Sequence, residues 1–329
     1  MSQATRNGPL LVTGGAGYVG SFCVRALRAR GEHVVILDDL SSGHREFVPD
    51  GVELLKVDLC DEPAVQAALG SHPFDAVLHF AAKSFVGESV RDPRKYWENN
   101  VGASLNLLGA CVDHGVDKIV FSSTCAVYGE PGVDFLHEDL PYAPVNPYGR
   151  TKLAIEQILE DYATAGLLRS FRLRYFNAAG GANDGSLGEW HDPETHLIPL
   201  CVRAATQGGR LKVFGTDWPT PDGTCVRDYI HVDDLAQAHV AAVDCLRDGH
   251  AGAALNLGTG RGHSVLDVIK AVGNVLGKPV PWDPAPRRDG DPPALVAAPG
   301  KAGEILGFAP RHTDFEAVVA SAYAFLRAL

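Results

Sequence analysis

The sequence predicts an α/β fold, a doubly wound parallel sheet followed by a smaller α/β domain. Three observations carry that expectation. Near-continuous Val/Ile/Leu runs recur through the first half: "LLVTGG" from residue 10, "HVVILD" from 33, "VELLKVDL" from 52, "FDAVLHFA" from 74 and "DKIVFSS" from 117. Segments of helical periodicity lie between them, and "TGGAGYVG" (13–20) sets glycines where the first run gives way to a helix. Apolar runs separated by helices describe strands covered on both faces, the condition of a parallel sheet.

The first helix reads through "YVGSFCVRALRARG", with Val24 and Leu27 on its apolar side and Gly31 as its stop. Gly14, Gly17 and Gly20 are spaced as in a Rossmann-type phosphate turn. Glycines permit the tight bend, the backbone approaches a pyrophosphate closely, and the helix N-terminus offers free N–H groups and positive dipole. Asp38 closes the second strand eighteen residues after Gly20. A carboxylate there accepts from the adenosine ribose hydroxyls and repels a 2′-phosphate, and no arginine immediately follows it, so the expected cofactor is NAD and not NADP.

The second half changes texture. Three polar stretches, 180–196, 214–231 and 282–293, read as long loops, and tryptophans, a tyrosine and arginines among them favour function. Helices are expected at 233–247 and 264–276. A chain of 329 residues suggests two domains. The expected boundary puts 1–178 in an NAD-binding domain and 179–329 in a substrate-binding domain, with the segment 225–260 returning to the first.

Composition narrows the function classes. Hydrophobic residues make up 46% and charged residues 21%, values of a globular chain with a real core. A formal net charge of −11 argues against general binding to nucleic acid or anionic membrane. The polar N-terminus lacks the apolar core of a leader peptide, and no run of about eighteen apolar residues occurs. Seven scattered cysteines without a CxxC pair fit reduced thiols, and the expected location is the cytoplasm. "HDPETH" (191–196) imitates a metal motif, but it is read as a polar loop lacking a third ligand, so no metal is expected.

"FSSTCAVYG" (121–129) ends an apolar strand in three hydroxyls, and "YGRTK" follows with Tyr148 and Lys152 four residues apart, on one face of a helix. A phenol has an ordinary pKa of about 10. An ammonium beside it stabilises the phenolate, so the pair suits removal of a hydroxyl proton. Ser122 and Ser123 are expected to satisfy backbone groups where the strand opens.

Together the glycine turn, the strand-end hydroxyls and YxxxK resemble the extended short-chain dehydrogenase/reductase superfamily. Within it, "HFAAKSFVGESV", "NNVGASLNLL", "SSTCAVYGE", "NPYGRTK", "LRYFNAAG", "RDYIHVDDLA", "NLGTGRGHSVLDVI" and "RRDGDPPALVA" are similar, in order along nearly the whole chain, to the UDP-glucose 4-epimerase family. The resemblance implies interconversion of UDP-glucose and UDP-galactose in galactose metabolism, by oxidation at C4, rotation of the 4-keto sugar and re-reduction. Tyr148 would be base and acid, Lys152 would hold the nicotinamide ribose and tune the tyrosine, and Thr124 would bridge the C4 oxygen and Tyr148.

For the cofactor the resemblance implies Gly14, Gly17, Tyr18, Val19 and Gly20 in the turn, and Asp38, Asp39, Leu40, Ser41, Ser42 and Gly43 after the second strand. Asp58 and Leu59 would flank the adenine, and Phe80, Ala81, Ala82, Lys83, Asn99 and Phe176 would complete the site. Ser84 stands where several members carry lysine. For the substrate it implies Thr124, Tyr148, Asn177, His196, Leu197, Phe214, Arg227, Arg288, Asp291 and Leu295. Arg227 and Arg288 would grip the diphosphate, while Arg287 reads as a solvated loop residue. Leu295 is intermediate between small residues and a bulky aromatic, which implies UDP-GlcNAc and UDP-GalNAc as further substrates and leaves pentose nucleotides open.

The alternative within the superfamily is a sugar-nucleotide 4,6-dehydratase or decarboxylase. Dehydration needs an acid and a base, usually carboxylates just after the active hydroxyl, and this chain has Cys125 and Ala126 there. Relatives commonly dimerise through the helices around 100–113 and at Tyr148, so a homodimer is expected; Leu105, Leu108 and Val112 form an apolar stripe that either a partner or the chain's own sheet explains equally well.

Overall fold

The computed structural model describes residues 8–288, 290–298 and 300–329. Its strands are β1 (Leu10–Thr13), β2 (Val34–Leu37), β3 (Glu53–Leu55), β4 (Ala76–His79), β5 (Lys118–Thr124), β6 (Arg169–Tyr175), β7 (Asn177–Ala179), β8 (Leu211–Phe214), β9 (Val226–His231), β10 (Ala254–Leu257), β11 (Gly262–Ser264), β12 (Trp282–Ala285) and β13 (Ala294–Leu295). Its helices are α1 (Tyr18–Ala29), α2 (Glu62–Gly70), α3 (Val86–Arg91), α4 (Pro93–Tyr96), α5 (Ala103–Asp113), α6 (Pro147–Thr164), α7 (Leu197–Gln207), α8 (Val232–Arg247), α9 (Val265–Leu276), α10 (Lys301–Leu306) and α11 (Phe315–Leu326). A π-helical stretch, Trp97–Gly102, joins α4 to α5.

Seven strands form one parallel sheet in the order β10-β6-β5-β4-β1-β2-β3. Strand order reverses at β1, which lies between β2 and β4, so a crevice opens beyond their carboxyl ends. Alternate residues of β1 serve opposite faces: Leu10 and Val12 pack with Leu235 and Val243 of α8, and Leu11 packs with Leu107 of α5 and Ile155 of α6. The sheet is therefore buried on both sides, which is why its strands read as unbroken apolar runs.

A second sheet centres on β9, which pairs with β7 and β13 in parallel and with β11 antiparallel; β8 and β12 form a separate parallel pair. Two expected loops thus contain strands, β9 within 214–231 and β12 within 282–293. Pro284 inside β12 masks it, because proline occurs in strands only where a donor can be spared. The returning segment is also narrower than expected: β9 stays in the smaller sheet, while α8 packs on the large sheet and β10 extends it.

Candidate functional site

The glycine turn is built so that side chains have no room. A Cβ on Gly20 would lie 2.1 Å from the Gly14 carbonyl oxygen, and one on Gly14, at φ +70°, would lie 2.6 Å from the Ala81 nitrogen. Gly17 caps α1 without any side-chain hydrogen bond, leaving the helix N-terminus available to an anion. Buried Asp38 accepts from the backbone of Ala16 at 3.0 Å and of Leu40 at 2.9 Å. Burial raises its carboxyl above the usual range, and those two N–H groups pull back. Gly43 passes so close that a Cβ would meet Asp38 Oδ1 at 2.8 Å. These residues fit a dinucleotide.

Around that turn, Lys83 donates to Ser41 Oγ at 2.9 Å, and Asp39 accepts from the Ser41 N–H. Asp58 accepts from the Cys60 N–H, while Leu59 sits in the core beneath. Phe80 packs on His239, with ring centroids 4.7 Å apart. Val19 packs on the core, and the Tyr18 hydroxyl donates to the Gly180 carbonyl at 2.6 Å, tying α1 to the segment after β7. Asn99 is partly exposed beside Cys60, and Ser84 is exposed. The buried neighbour Asn100 does what sequence reasoning missed: it accepts from the Lys83 N–H, donates to the Lys83 carbonyl and donates to Thr151 Oγ1, clamping the loop after β4 to α6.

Helix α6 starts where Asn146 accepts from the Gly149 N–H at 2.9 Å and Pro147 occupies the first turn. Tyr148 and Lys152 therefore point from one face of its first turns toward the end of β5. Burial pushes the Tyr148 phenol up to about 12, and the Thr124 hydroxyl, its hydrogen-bonding neighbour, pulls the other way. Burial takes Lys152 down to about 7, opposed by the charge of Glu156. The Lys152 amine donates to the Ser122 carbonyl at 2.7 Å and lies 4.7 Å from the centroid of the Phe121 ring. The expectation is corrected for Ser123, whose hydroxyl donates to the Glu156 side chain and not to backbone. Thr124 Oγ1 accepts from the Ala126 N–H at 3.2 Å, which turns the chain out of the strand. Cys125 is buried with its thiol pushed up to about 12, useless as an acid or base at neutral pH.

On the other side of the crevice the expected substrate residues gather in two groups. Arg227 Nη2 lies 3.5 Å and Arg288 Nη1 4.0 Å from the Asp291 carboxylate, and Arg288 stacks over Phe214 at 4.5 Å. Arg287 points elsewhere, bonding Asp217 and covering Trp218. Leu295, Phe176 and Cys125 share one apolar cluster, which joins this group to the end of β5. Asn177 opens β7 opposite Tyr229. His196 and Leu197 begin α7.

"HDPETH" is not the bare polar loop expected. Glu189 and Glu194 lie against His191 and His196, and one donor atom from each of the four falls within 4.8 Å of the others. Burial pulls His196 down, but Glu189 and Glu194 outweigh it and hold its pKa at about 10. The two glutamates stand two residues before each histidine, a spacing that matches no familiar metal motif.

Residues 10–258 match the NAD dependent epimerase/dehydratase family. The chain belongs to this family. It is 51% identical to a UDP-glucose 4-epimerase of Rhizobium meliloti (strain 1021) over 320 residues, 97% of each chain. Among solved structures, the UDP-glucose 4-epimerase of Brucella ovis in complex with NAD superposes with a TM-score of 0.92 at 46% identity, covering 96% of this chain and 98% of that one. The Bifidobacterium longum UDP-glucose 4-epimerase in complex with NAD+ and UDP gives a TM-score of 0.92 at 37% identity, over 97% and 98%.

As an epimerase/dehydratase family member the chain carries a buried layer behind its reactive face. Glu156, four residues after Lys152, pairs with Arg174 of β6. Asp228, fully buried, accepts from the N–H groups of Thr259, Gly260 and Ala297 and from the Thr259 hydroxyl, pinning two loops beside Arg227. Glu156 was legible as the third member of the Tyr148–Lys152 stripe; Asp228 carried no local signal.

Proposed function

We propose that this chain interconverts UDP-glucose and UDP-galactose as an NAD-dependent 4-epimerase. The carrying observation is buried Tyr148 facing Thr124 at the carboxyl end of β5, with Lys152 one turn along the same helix, on a family member similar throughout to proteins named for that reaction. Bound NAD supplies the acceptor and donor of hydride at sugar C4, and the turn at Gly14–Gly20 with Asp38 holds it. Tyr148 takes the proton of the C4 hydroxyl and later returns it. Thr124 keeps the C4 oxygen in reach. Arg227 and Arg288 hold the diphosphate with charge-assisted hydrogen bonds while the keto ring turns over. Binding energy remote from C4 thus retains the intermediate through its rotation. Cys125 and Ala126 provide no acid–base pair, so dehydration is not favoured.

Purified protein incubated with UDP-galactose, UDP-GalNAc and UDP-xylose, without added NAD, tests this. UDP-glucose is expected from the first; no C4 epimer from any of them rejects the reading.

The finer proposals are a division into residues 1–178 and 179–329 with part of the segment 225–260 returning to the first, a cytoplasmic location and a homodimer. No helix among the described residues is long and apolar enough to cross a membrane, and all seven cysteines are free thiols, which supports a reducing compartment. For the dimer, the apolar stripe is corrected: Leu108 is in the chain's own core and Val112 is half-buried, while Leu105 and Trp97 are exposed. These two are the residues a partner's helices would cover.

A further inference from the structure

The loop from Glu189 to His196 holds a donor set of which only His196 has a part in the epimerase reading. His196 Nδ1 lies 2.8 Å from Glu189 and 3.0 Å from Glu194, and His191 Nδ1 lies 3.5 Å and 3.9 Å from the same two carboxylates. Zinc bonds of 2.0–2.2 Å in tetrahedral geometry require donors separated by about 3.3–3.6 Å. The four measured separations straddle that value. The set of two imidazoles and two carboxylates, N₂O₂, suits zinc and its first-row neighbours.

Two anomalies point to a cation. First, both carboxylates are buried, with side chains 8% and 1% exposed, and among the described residues the two histidines of the same loop are the only basic side chains within salt-bridge distance of either, one short of a full balance for two negative charges when His196 alone is charged. Buried carboxylates ordinarily need full compensation. Second, His191 Nδ1 is buried with no hydrogen-bond partner. A dication balances two carboxylates and uses the idle lone pair of His191. The surroundings are arranged as an outer shell would be. Glu194 Oε1 accepts from the Thr195 and His196 N–H groups, each at 2.7 Å, which fixes the carboxylate. Phe85 packs its ring near both imidazoles, with centroids 5.7 Å from His191 and 6.2 Å from His196.

We propose that Glu189, His191, Glu194 and His196 bind one divalent ion of the zinc class. The ion staples the loop that leads into α7. Trp190, inside that loop, stacks on His44 at 3.9 Å, so the staple also steadies the contact between this loop and the segment following β2. The inference shares only His196 with the epimerase reading, and its test does not use turnover.

The test is metal binding by the whole protein. After chelation and dialysis against Zn²⁺, atomic emission is expected to find one zinc per chain, and Co²⁺ substitution to give the intense visible bands of a tetrahedral site. His191→Ala and Glu194→Gln are each expected to weaken zinc by more than the roughly 10–100-fold that loss of an outer-shell partner costs. His312→Ala, at a second His/Asp cluster formed with His231 and Asp233, is expected to change nothing. A wild-type chain that retains no zinc, or a cobalt spectrum without tetrahedral intensity, overturns the proposal without recourse to any variant. So does zinc that survives His191→Ala in a variant whose circular dichroism is unchanged, or that is lost in His312→Ala.

Discussion

Glu156 and Arg174 form a buried ion pair directly behind the reactive face, with Nε 2.9 Å and Nη2 2.5 Å from the carboxylate oxygens. Arg174 is completely buried and also donates to the hydroxyls of Tyr128 and Tyr142, while Ser123 donates to Glu156. The pair thus ties α6, β5 and β6 together one helical turn beyond Lys152. Glu156→Gln would leave the guanidinium charge buried without its counter-charge. Loss of about 3–5 kcal/mol is expected in urea denaturation. A loss under about 1 kcal/mol would show that water or the two tyrosines compensate Arg174.

Lys152 gives a pH dependence of definite sign. Burial lowers it from 10.5 to about 7 in the folded chain. Between those values the unfolded chain holds a proton that the folded chain has released, so stability rises with pH across that window. Below it the cost of a buried ammonium is fully present; above it both states are neutral. In NAD-stripped protein, the stability of wild type relative to Lys152→Met is expected to climb from about pH 7 to about pH 10.5. A flat difference would mean that Lys152 stays charged in the fold.

Thr124 is the group that lowers the Tyr148 phenol against its burial. Thr124→Val keeps the shape and removes the hydroxyl, so the phenol rises and the rising limb of the kcat profile moves to higher pH. Thr124→Ser should keep both rate and profile. Tyr148→Phe is expected to lose about 10²–10⁴ in kcat, the range ascribed to a positioned acid–base group, with UDP binding intact. Full activity in Tyr148→Phe would remove the assignment.

Arg227 and Arg288 converge on Asp291, and in the proposed complex they exchange that partner for the diphosphate. A hydrogen bond to a charged group contributes about 1.5–3 kcal/mol, so each change to alanine is expected to weaken UDP binding about 10- to 100-fold, measured by calorimetry. Arg287→Ala is expected to leave it unchanged, because Arg287 is committed to Asp217 and Trp218.

How far the sequence spoke for itself depended on whether a feature is local. The phosphate turn and the Tyr148–Lys152 stripe depend on spacing within one element, and both were legible. The parallel sheet was legible because its strands are apolar on both faces. Strand β12 was not, since Pro284 contradicts strand propensity and only pairing with β8 makes it one. Asp228 and Asn100 act through partners as distant as Ala297 and Thr151, and nothing around them in the chain announces that role. The Glu189–His196 cluster is local in the chain, but the burial that draws its four side chains together is encoded by no motif.

In the proposed complex Leu295 bears on which sugars are admitted. It is 8% exposed, packs with Cys125 and Phe176, and lies in β13 opposite Arg227 of β9. That position connects the diphosphate side to the end of the strand carrying Thr124. A tyrosine there would extend a ring beyond the leucine and take space from the substituent at sugar C2. Leu295→Tyr is expected to lower kcat/KM for UDP-GalNAc at least about tenfold relative to UDP-galactose, the scale of discrimination by pocket shape. Leu295→Ala would open the pocket but leave a cavity costing about 2–5 kcal/mol, so its selectivity is read below the melting transition. An unchanged UDP-GalNAc to UDP-galactose ratio in Leu295→Tyr would place the selectivity determinant elsewhere.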